Sequence, residues 1–320
     1  MSLWGWAWSF TALGLAVQIV PSRIRERIGK WAETPTLALA ALIAVRVPFA
    51  GASTHASLIM IDQHAHITGS ARWVDRLFEE RDASIVGSRL LVALDVVSAR
   101  EFPLLPALLI ASYPAHEAFA PRLATPILST IFELDEPNAT NAILVRDEAE
   151  RAEVGIVFLH GFAGNFSFQC LEIAAAVRDL RADVLCPSNH FEGRWLGAEA
   201  TAIVDSSIAI LRARGAQHVV LIGLSNGAIG ASVIASSLNI DGLVLISGVS
   251  PNAPSPQMNT LVIQGQDDTM VRTRQVRAWA ESQARVDYVE LPGTHFILLE
   301  QRDAIGSAIR SYVQGPHHQR

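Results

Sequence analysis

The sequence predicts an α/β protein, a mostly parallel eight-stranded sheet with helices on both faces, preceded by a helical, membrane-associated N-terminal region. Three observations lead there. From residue 142 onward, short uninterrupted apolar runs alternate with helical patterns, as strands buried on both faces and their crossover helices do. At 219–230 the stretch VVLIGLSNGAIG sets an apolar strand, a tight glycine-flanked turn and a small-residue helix one directly after another. Ahead of residue 142, long apolar stretches lack that alternation.

The N-terminal stretches come first. Residues 3–20 are almost wholly apolar or small, with Trp4, Trp6 and Trp8 near their start. About eighteen such residues just span a bilayer, and tryptophan favours its interface. Arg23, Arg25, Arg27 and Lys30 follow, and the positive-inside rule keeps that loop cytoplasmic. A second apolar stretch, 36–52, could return across the membrane, although Arg46 within it is costly. Together they read as one or two transmembrane helices that tether the chain and leave the remainder outside the cytoplasm. The alternative is a pair of buried helices in a soluble cytoplasmic protein. Ala50, Gly51 and Ala52 resemble a signal-peptidase site but lie far from Met1.

Next, Asp62-Gln63-His64-Ala65-His66 follows an apolar run. A His-x-His at a strand end can open a metal site, but no barrel pattern follows, so two polar histidines in a connection are expected and no metal. Charged residues spaced around Trp73, Val74, Leu77 and Phe78 predict an amphipathic helix over 71–82. Apolar stretches at 85–97 and 104–112 read as a helical cover over the following domain, or as an element lying on a membrane surface. Prolines at 114, 121, 126 and 137 mark an irregular passage, and the domain boundary is placed there. The expected division is 1–135, an N-terminal region; 136–316, the main domain; and 317–320, a tail.

Composition bounds the partners. Half of the 320 residues are hydrophobic and 18% are charged, and the net charge of -6 gives no footprint for nucleic acid. Nothing in the pattern fixes an oligomeric state. The two cysteines, Cys170 and Cys186, are expected as buried free thiols, with pairing the alternative if the domain is exported.

Four elements carry chemistry, each after an expected strand. Gly223-Leu224-Ser225-Asn226-Gly227 matches G-x-S-x-G in the strand–turn–helix setting that lifts a serine above a sheet. His160-Gly161-Phe162-Ala163-Gly164-Asn165 is a tight turn whose backbone could face that serine. The amides of Phe162 and Asn226 are the candidate oxyanion donors. His160 is read as a brace of the turn, because a better-placed base follows. Gly265-Gln266-Asp267-Asp268 offers an acid on the rim, with Asp268 preferred to Asp267 by its spacing from Gly265. Gly293-Thr294-His295 sets a histidine on the same rim, after the last strand. Serine, acid and histidine in this order permit a nucleophile, a general base and an orienting carboxylate.

These four motifs together resemble the α/β-hydrolase superfamily over residues 142–314. HGFAGN is similar to its oxyanion turn, GLSNG to its nucleophile elbow, GQDD to its acid loop and GTH to its histidine loop. The resemblance implies a Ser225–Asp268–His295 triad, no cofactor, and a small-molecule acyl ester or thioester substrate cleaved through an acyl-enzyme. Amide hydrolysis and acyl transfer use the same triad, and a non-catalytic binding module on this scaffold is the alternative from another class. The short, proline-bearing 247–259 connection leaves no room for a helical cap there, as in compact esterases and dienelactone-hydrolase-like members. Phe191, Arg194 and Trp195, after the Cys186 strand, are the candidates for shaping the substrate pocket.

Overall fold

The computed structural model describes residues 53 and 55–315, apart from 78, 96–103, 133, 135–138, 147–151 and 163–166, together with positions 41, 45 and 48. The expected membrane segments 3–20 and 36–52, those three positions aside, and the 317–320 tail lie outside the described residues. Among the described residues no helix is long and apolar enough to cross a membrane.

In chain order the strands are β1 (Ala56–Asp62), β2 (Ile67–Ser70), β3 (Ala139–Val145), β4 (Val154–Leu159), β5 (Ala182–Pro187), β6 (His218–Leu224), β7 (Gly242–Ile246), β8 (Thr260–Gly265) and β9 (Val286–Leu291). They form one sheet in the order β2-β1-β3-β5-β4-β6-β7-β8-β9, nine strands where eight were expected. The six from β5 to β9 across the sheet are mutually parallel, and β3, β1 and β2 extend the edge antiparallel. The sheet therefore draws β1 and β2 from the segment ahead of residue 136. β1 joins because its Leu58 and Ile59 supply both faces of the core.

The helices are α1 (Glu80–Ala93), α2 (Leu105–Phe119), α3 (Ile127–Ile131), α4 (Ser167–Ala176), α5 (Ala198–Ala213), α6 (Asn226–Ile234), α7 (Thr273–Glu281), α8 (Ile297–Glu300) and α9 (Arg302–Gln314). The helix expected over 71–82 is instead a short 3-10 turn, Val74–Arg76, ahead of α1. Asp75 is buried there, accepting from Ser129 N at 3.0 Å and Ser129 Oγ at 2.7 Å, which ties the turn to α3 rather than to a helical face. Between β7 and β8 there is no helix among the described residues.

Continuous apolar strands demand cover on both faces, and the helices supply it. Ile156, Phe158, Val220, Ile222, Val244 and Ile263 lie in one core with Ile173 of α4 and Ile305 and Ile309 of α9. Val157, Leu159, Leu221, Leu245 and Val262 lie in the other with Val204 and Leu211 of α5 and Ala228 and Ala231 of α6. Burying each of the valine, leucine, isoleucine and phenylalanine side chains among them contributes about 1.5–3 kcal/mol. A smaller cluster, Ile85, Leu105, Leu109, Tyr113 and Phe168, seats α1 and α2 on the outside of α4.

Cys170 of α4 and Cys186 of β5 are bonded, with Cα atoms 6.0 Å apart, so the expectation of two free thiols is corrected. The cause is the layering: α4 lies on the face of β5 toward which Cys186 points, and both side chains share one core.

Strand order reverses at β4. It pairs with β5 on one side and β6 on the other, while the chain runs β4, α4, β5, α5, β6. A crevice opens at such a switch point, beyond the C-terminal ends of the strands. Every motif read from the sequence after residue 159 begins at one of those ends.

Candidate active site

Ser225 stands between the last residue of β6 and the first of α6, at φ 53° and ψ -118°. A non-glycine residue held there costs on the order of 1–3 kcal/mol. The surroundings hold it: its N–H donates to Ile246 O at 2.9 Å and its carbonyl accepts from Ile229 N at 2.9 Å. The flanking glycines are required by close approach. A Cβ on Gly227 would lie 2.0 Å from Leu159 O, and one on Gly223 would lie 2.5 Å from Gly227 O. The turn can be this sharp only because both positions lack a side chain.

The serine hydroxyl lies 2.8 Å from His295 Nε2, and His295 Nδ1 lies 2.8 Å from Asp268 Oδ2. A carboxylate only accepts, so Nδ1 carries the proton and Nε2 is left to accept from the serine. Asp268 is fixed in turn by four donors. Oδ1 accepts from Met270 N at 2.9 Å and Val271 N at 2.8 Å, and Oδ2 accepts from Gln264 Nε2 at 2.7 Å as well as from His295. Asp268 and His295 are buried, whereas Asp267 is exposed and donates only its backbone N–H, to Gly293 O at 2.9 Å. Of the two adjacent acids, the structure brings Asp268 to the histidine.

The glycine turn after β4 faces this group. A Cβ on Gly161 would come within 3.0 Å of Ser225 Cβ and 3.6 Å of its Oγ, so the backbone leading to Phe162 passes beside the serine. Asn226 is the first residue of α6, where an N–H has no acceptor within the helix and the dipole favours negative charge. Gly161 and Asn226 thus approach the serine from different elements. His160 is fully buried in this turn, and burial lowers its pKa to about 4, against a smaller upward effect of its bond to Gly161 O. Its Nδ1 donates to Gly161 O at 2.7 Å and its Nε2 accepts from Asn189 N at 3.1 Å, which fixes one neutral tautomer. With both ring nitrogens engaged, His160 holds the turn.

The three pocket candidates separate. Phe191 is half-buried, edge-on to Phe162 with ring centroids 5.2 Å apart, at the mouth of the turn. Arg194 points outward, its side chain 60% exposed and 3.4 Å from Glu192. Trp195 does not line a pocket and is corrected to a brace. It is 1% exposed, and its indole N–H donates to His160 O at 2.9 Å. A buried indole needs an acceptor, and the turn's carbonyl provides it. The same loop is tied to the elbow by Asn226 Nδ2, which donates to Glu192 O at 2.7 Å.

Other residues went unnoticed in the sequence. Gln264 orients Asp268 from within β8. Glu300 receives Thr294 N at 2.6 Å and Thr294 Oγ1 at 3.1 Å, which fixes the histidine loop. Gln264 is a lone polar side chain at the end of the continuous apolar run of β8, where every residue is buried, and that is the sequence signal for it. Asp62 turns its carboxylate onto His64 N at 2.9 Å and His66 N at 2.8 Å, closing the β1–β2 hairpin, and both histidines are exposed. Among the described residues no group of three or more His, Cys, Asp or Glu side chains is arranged to hold a metal ion.

A switch-point crevice, a strained serine between strand and helix, and an acid and a histidine following in chain order decide the architecture. This is the α/β-hydrolase fold. Solved structures of that fold resemble the chain at low identity. An α/β serine hydrolase without lid from Xanthomonas campestris shares 21% identity over 57% of this chain and 93% of its own, with a TM-score of 0.45. Est1E from Butyrivibrio proteoclasticus shares 13% over 55% and 93%, with a TM-score of 0.45. The Pyrococcus furiosus esterase Pf2001 shares 14% over 56% and 88%, with a TM-score of 0.46. No protein-family model and no curated protein matches the sequence.

Proposed function

We propose that this α/β hydrolase cleaves a carboxylic ester or thioester through an acyl-enzyme. One observation carries the reading: the unbroken line Ser225 Oγ, His295 Nε2, His295 Nδ1, Asp268 Oδ2, with a contact of 2.8 Å at each hydrogen bond. A serine hydroxyl is a poor nucleophile at neutral pH, and this line remedies that. Oγ attacks the substrate carbonyl carbon while Nε2 takes its proton. Asp268 steadies the resulting imidazolium. The oxyanion is received by the amides of Phe162 and Asn226, each such donor being worth about 3–4 kcal/mol in the transition state. Collapse expels the alcohol or thiol, which takes the proton back from His295. Water then repeats the sequence on the acyl-serine and frees the acid.

Phe162 and Phe191, edge-on to each other at the glycine turn, supply apolar surface that suits an acyl group or an aromatic leaving group. The buried Cys170–Cys186 bond favours an oxidising compartment. That agrees with a catalytic domain held outside the cytoplasm by the apolar stretches 3–20 and 36–52.

The test is labelling of the full chain with a fluorophosphonate, followed by peptide mass spectrometry. The expected result is one adduct, on Ser225, lost in His295→Ala and accompanied by turnover of p-nitrophenyl esters in the wild type. A folded protein that takes no label overturns the reading.

A further inference from the structure

The inner face of the α1–α2 pair is fully engaged. Ile85, Leu105, Leu109 and Tyr113 bury against Phe168 of α4, and Glu80 accepts from Ser167 N and Phe168 N, each at 2.7 Å. Contacts down α2 give its direction. Tyr113 meets Phe168 with ring centroids 5.0 Å apart, His116 Nε2 lies 2.7 Å from Glu172 Oε1, and the Arg178 guanidinium lies 4.9 Å from the Phe119 ring. α2 therefore runs beside α4, from the catalytic end of the sheet toward the opposite end. At the catalytic end, Phe296, directly after His295, packs on the same cluster as Leu105 and Leu109.

The outer face is apolar along its whole length. Leu104, Ala107, Ile110, Pro114 and Ala118 stand exposed at successive turns, Leu104 to 51% and Ile110 to 46%. Within α2, all of it among the described residues, Glu117 alone exposes a charge, and Arg81 lies 3.5 Å from it. The end of α1 continues this surface at the catalytic end: Leu90 is 55% exposed and Leu94, one turn on, 70%. The outward side of α7 is the contrast, with Arg274, Gln275, Arg277 and Glu281 exposed. A fifteen-residue helix such as α2 offers about 22 Å of such surface. A continuous exposed apolar strip marks a contact still to be made.

The course of the chain names the occupant. His55 stacks on Phe119 with ring centroids 5.1 Å apart, so the chain reaches β1 past the last turn of α2. The apolar stretch 36–52 ends three positions earlier. A bilayer that takes up that stretch lies at the foot of α2, and α2 offers it an apolar side. Arg122 and Arg178 are exposed at the same end, where anionic headgroups would meet them. A helix with such a side lies in the plane of the interface, its apolar face about 5–10 Å into the headgroup boundary.

We propose that the outer face of the α1–α2 pair lies on a lipid bilayer, along the length of α2. The catalytic end is then held at the lipid surface, and, resting on the hydrolase reading above, the ester is drawn from the lipid.

The test uses the full chain with one added thiol, Ile110→Cys or Ala284→Cys, carrying the dye NBD and reconstituted into phosphatidylcholine/phosphatidylglycerol vesicles. Ala284 is exposed on the turn ahead of β9, at the other edge of the sheet. Lipids with a doxyl group on the acyl chain are expected to quench the Ile110 dye about fivefold more than the Ala284 dye, and aqueous iodide to do the reverse. An Ile110 dye quenched by iodide and not by lipid lies in water and overturns the proposal. One quenched by neither is covered by protein, either 36–52 or a second copy, and overturns it equally. Leu90→Gln/Leu104→Gln, at two exposed positions, is expected to lower hydrolysis of vesicle-dissolved p-nitrophenyl palmitate about tenfold, with p-nitrophenyl acetate in water unchanged within about twofold. Unchanged rates on both esters overturn the lipid source of the ester. A wild type that takes no fluorophosphonate label overturns the hydrolase reading, and the quenching of the Ile110 dye still decides the bilayer contact.

Discussion

The two sides of Ser225 are held in different ways. On the acid side the bonds are local: Asp268 takes its donors from Gln264, Met270 and Val271, and Thr294 is fixed by Glu300, six residues on. On the oxyanion side they are remote: His160 meets Asn189 and Trp195 at separations of 29 and 35. A loop that satisfies its own polar groups forms wherever its strand forms. A turn braced from elsewhere exists only when the whole domain has closed, and it can be disturbed from far away.

The sharpest way to break this contrast is on the local side. Asp268→Asn keeps the shape and most acceptors but favours the wrong imidazole tautomer, so kcat is expected to fall by about 10⁴. Asp267→Asn, at an exposed acid with no part in the line, leaves kcat unchanged within about twofold. Steady-state kinetics on the two variants decides, and equal losses would mean that the loop is not the self-contained unit described.

The remote side is tested first through its covalent tie. Cys170 and Cys186 join α4 to β5 across a separation of 16. Closing a loop of that length stabilises by about 3 kcal/mol in the chain-entropy account. The Cys170→Ser/Cys186→Ser double variant is expected to lose roughly that much in urea unfolding, a cost that a purely local fold would not feel at the oxyanion turn.

A gentler probe is acid. His160 is held near pKa 4 in the fold against about 6.5 when unfolded. Between those values the unfolded chain binds the extra proton, so this group's stabilisation is complete above pH 6.5 and is lost as pH falls toward 4. At 1.36 kcal/mol per unit the loss is about 3 kcal/mol. Glu80 works the other way: burial raises its pKa, so the folded state protonates first and its contribution improves as pH falls toward the ordinary carboxylate range. The net decline in urea midpoint between pH 7 and 4 is therefore expected to be smaller than His160 alone implies, and His160→Gln should flatten it.

The same contrast explains what could be read from sequence. The strands from β3 to β9 announce themselves by apolar runs, and the serine, acid and histidine by short motifs, because each is built from neighbours in the chain. β1 is hard to read because a strand that pairs antiparallel on both sides and is followed by His64 and His66 shows no crossover helix. The helical pair reads from sequence as a cover over the following domain or as a membrane-surface element, but its tie to α4 does not, since the partner of Glu80 is 87 residues away and leaves no periodic trace. Trp195 reads from sequence as a pocket wall because an aromatic residue on a rim loop looks alike whether it faces outward or inward. Its direction is set by the His160 carbonyl, which lies on another strand's end. The disulfide stands in the sequence only as the alternative to two free thiols, for a kindred reason: only the stacking of α4 on β5 brings its halves together.

That closed bond also makes the protein convenient to instrument. The chain has two cysteines, and neither is free. A thiol introduced on the surface would be the sole site for a maleimide dye, with no background to engineer away. Phe191→Cys would set such a reporter at the mouth of the turn, beside the ring of Phe162, where its spectrum follows changes in the surroundings of the turn in real time.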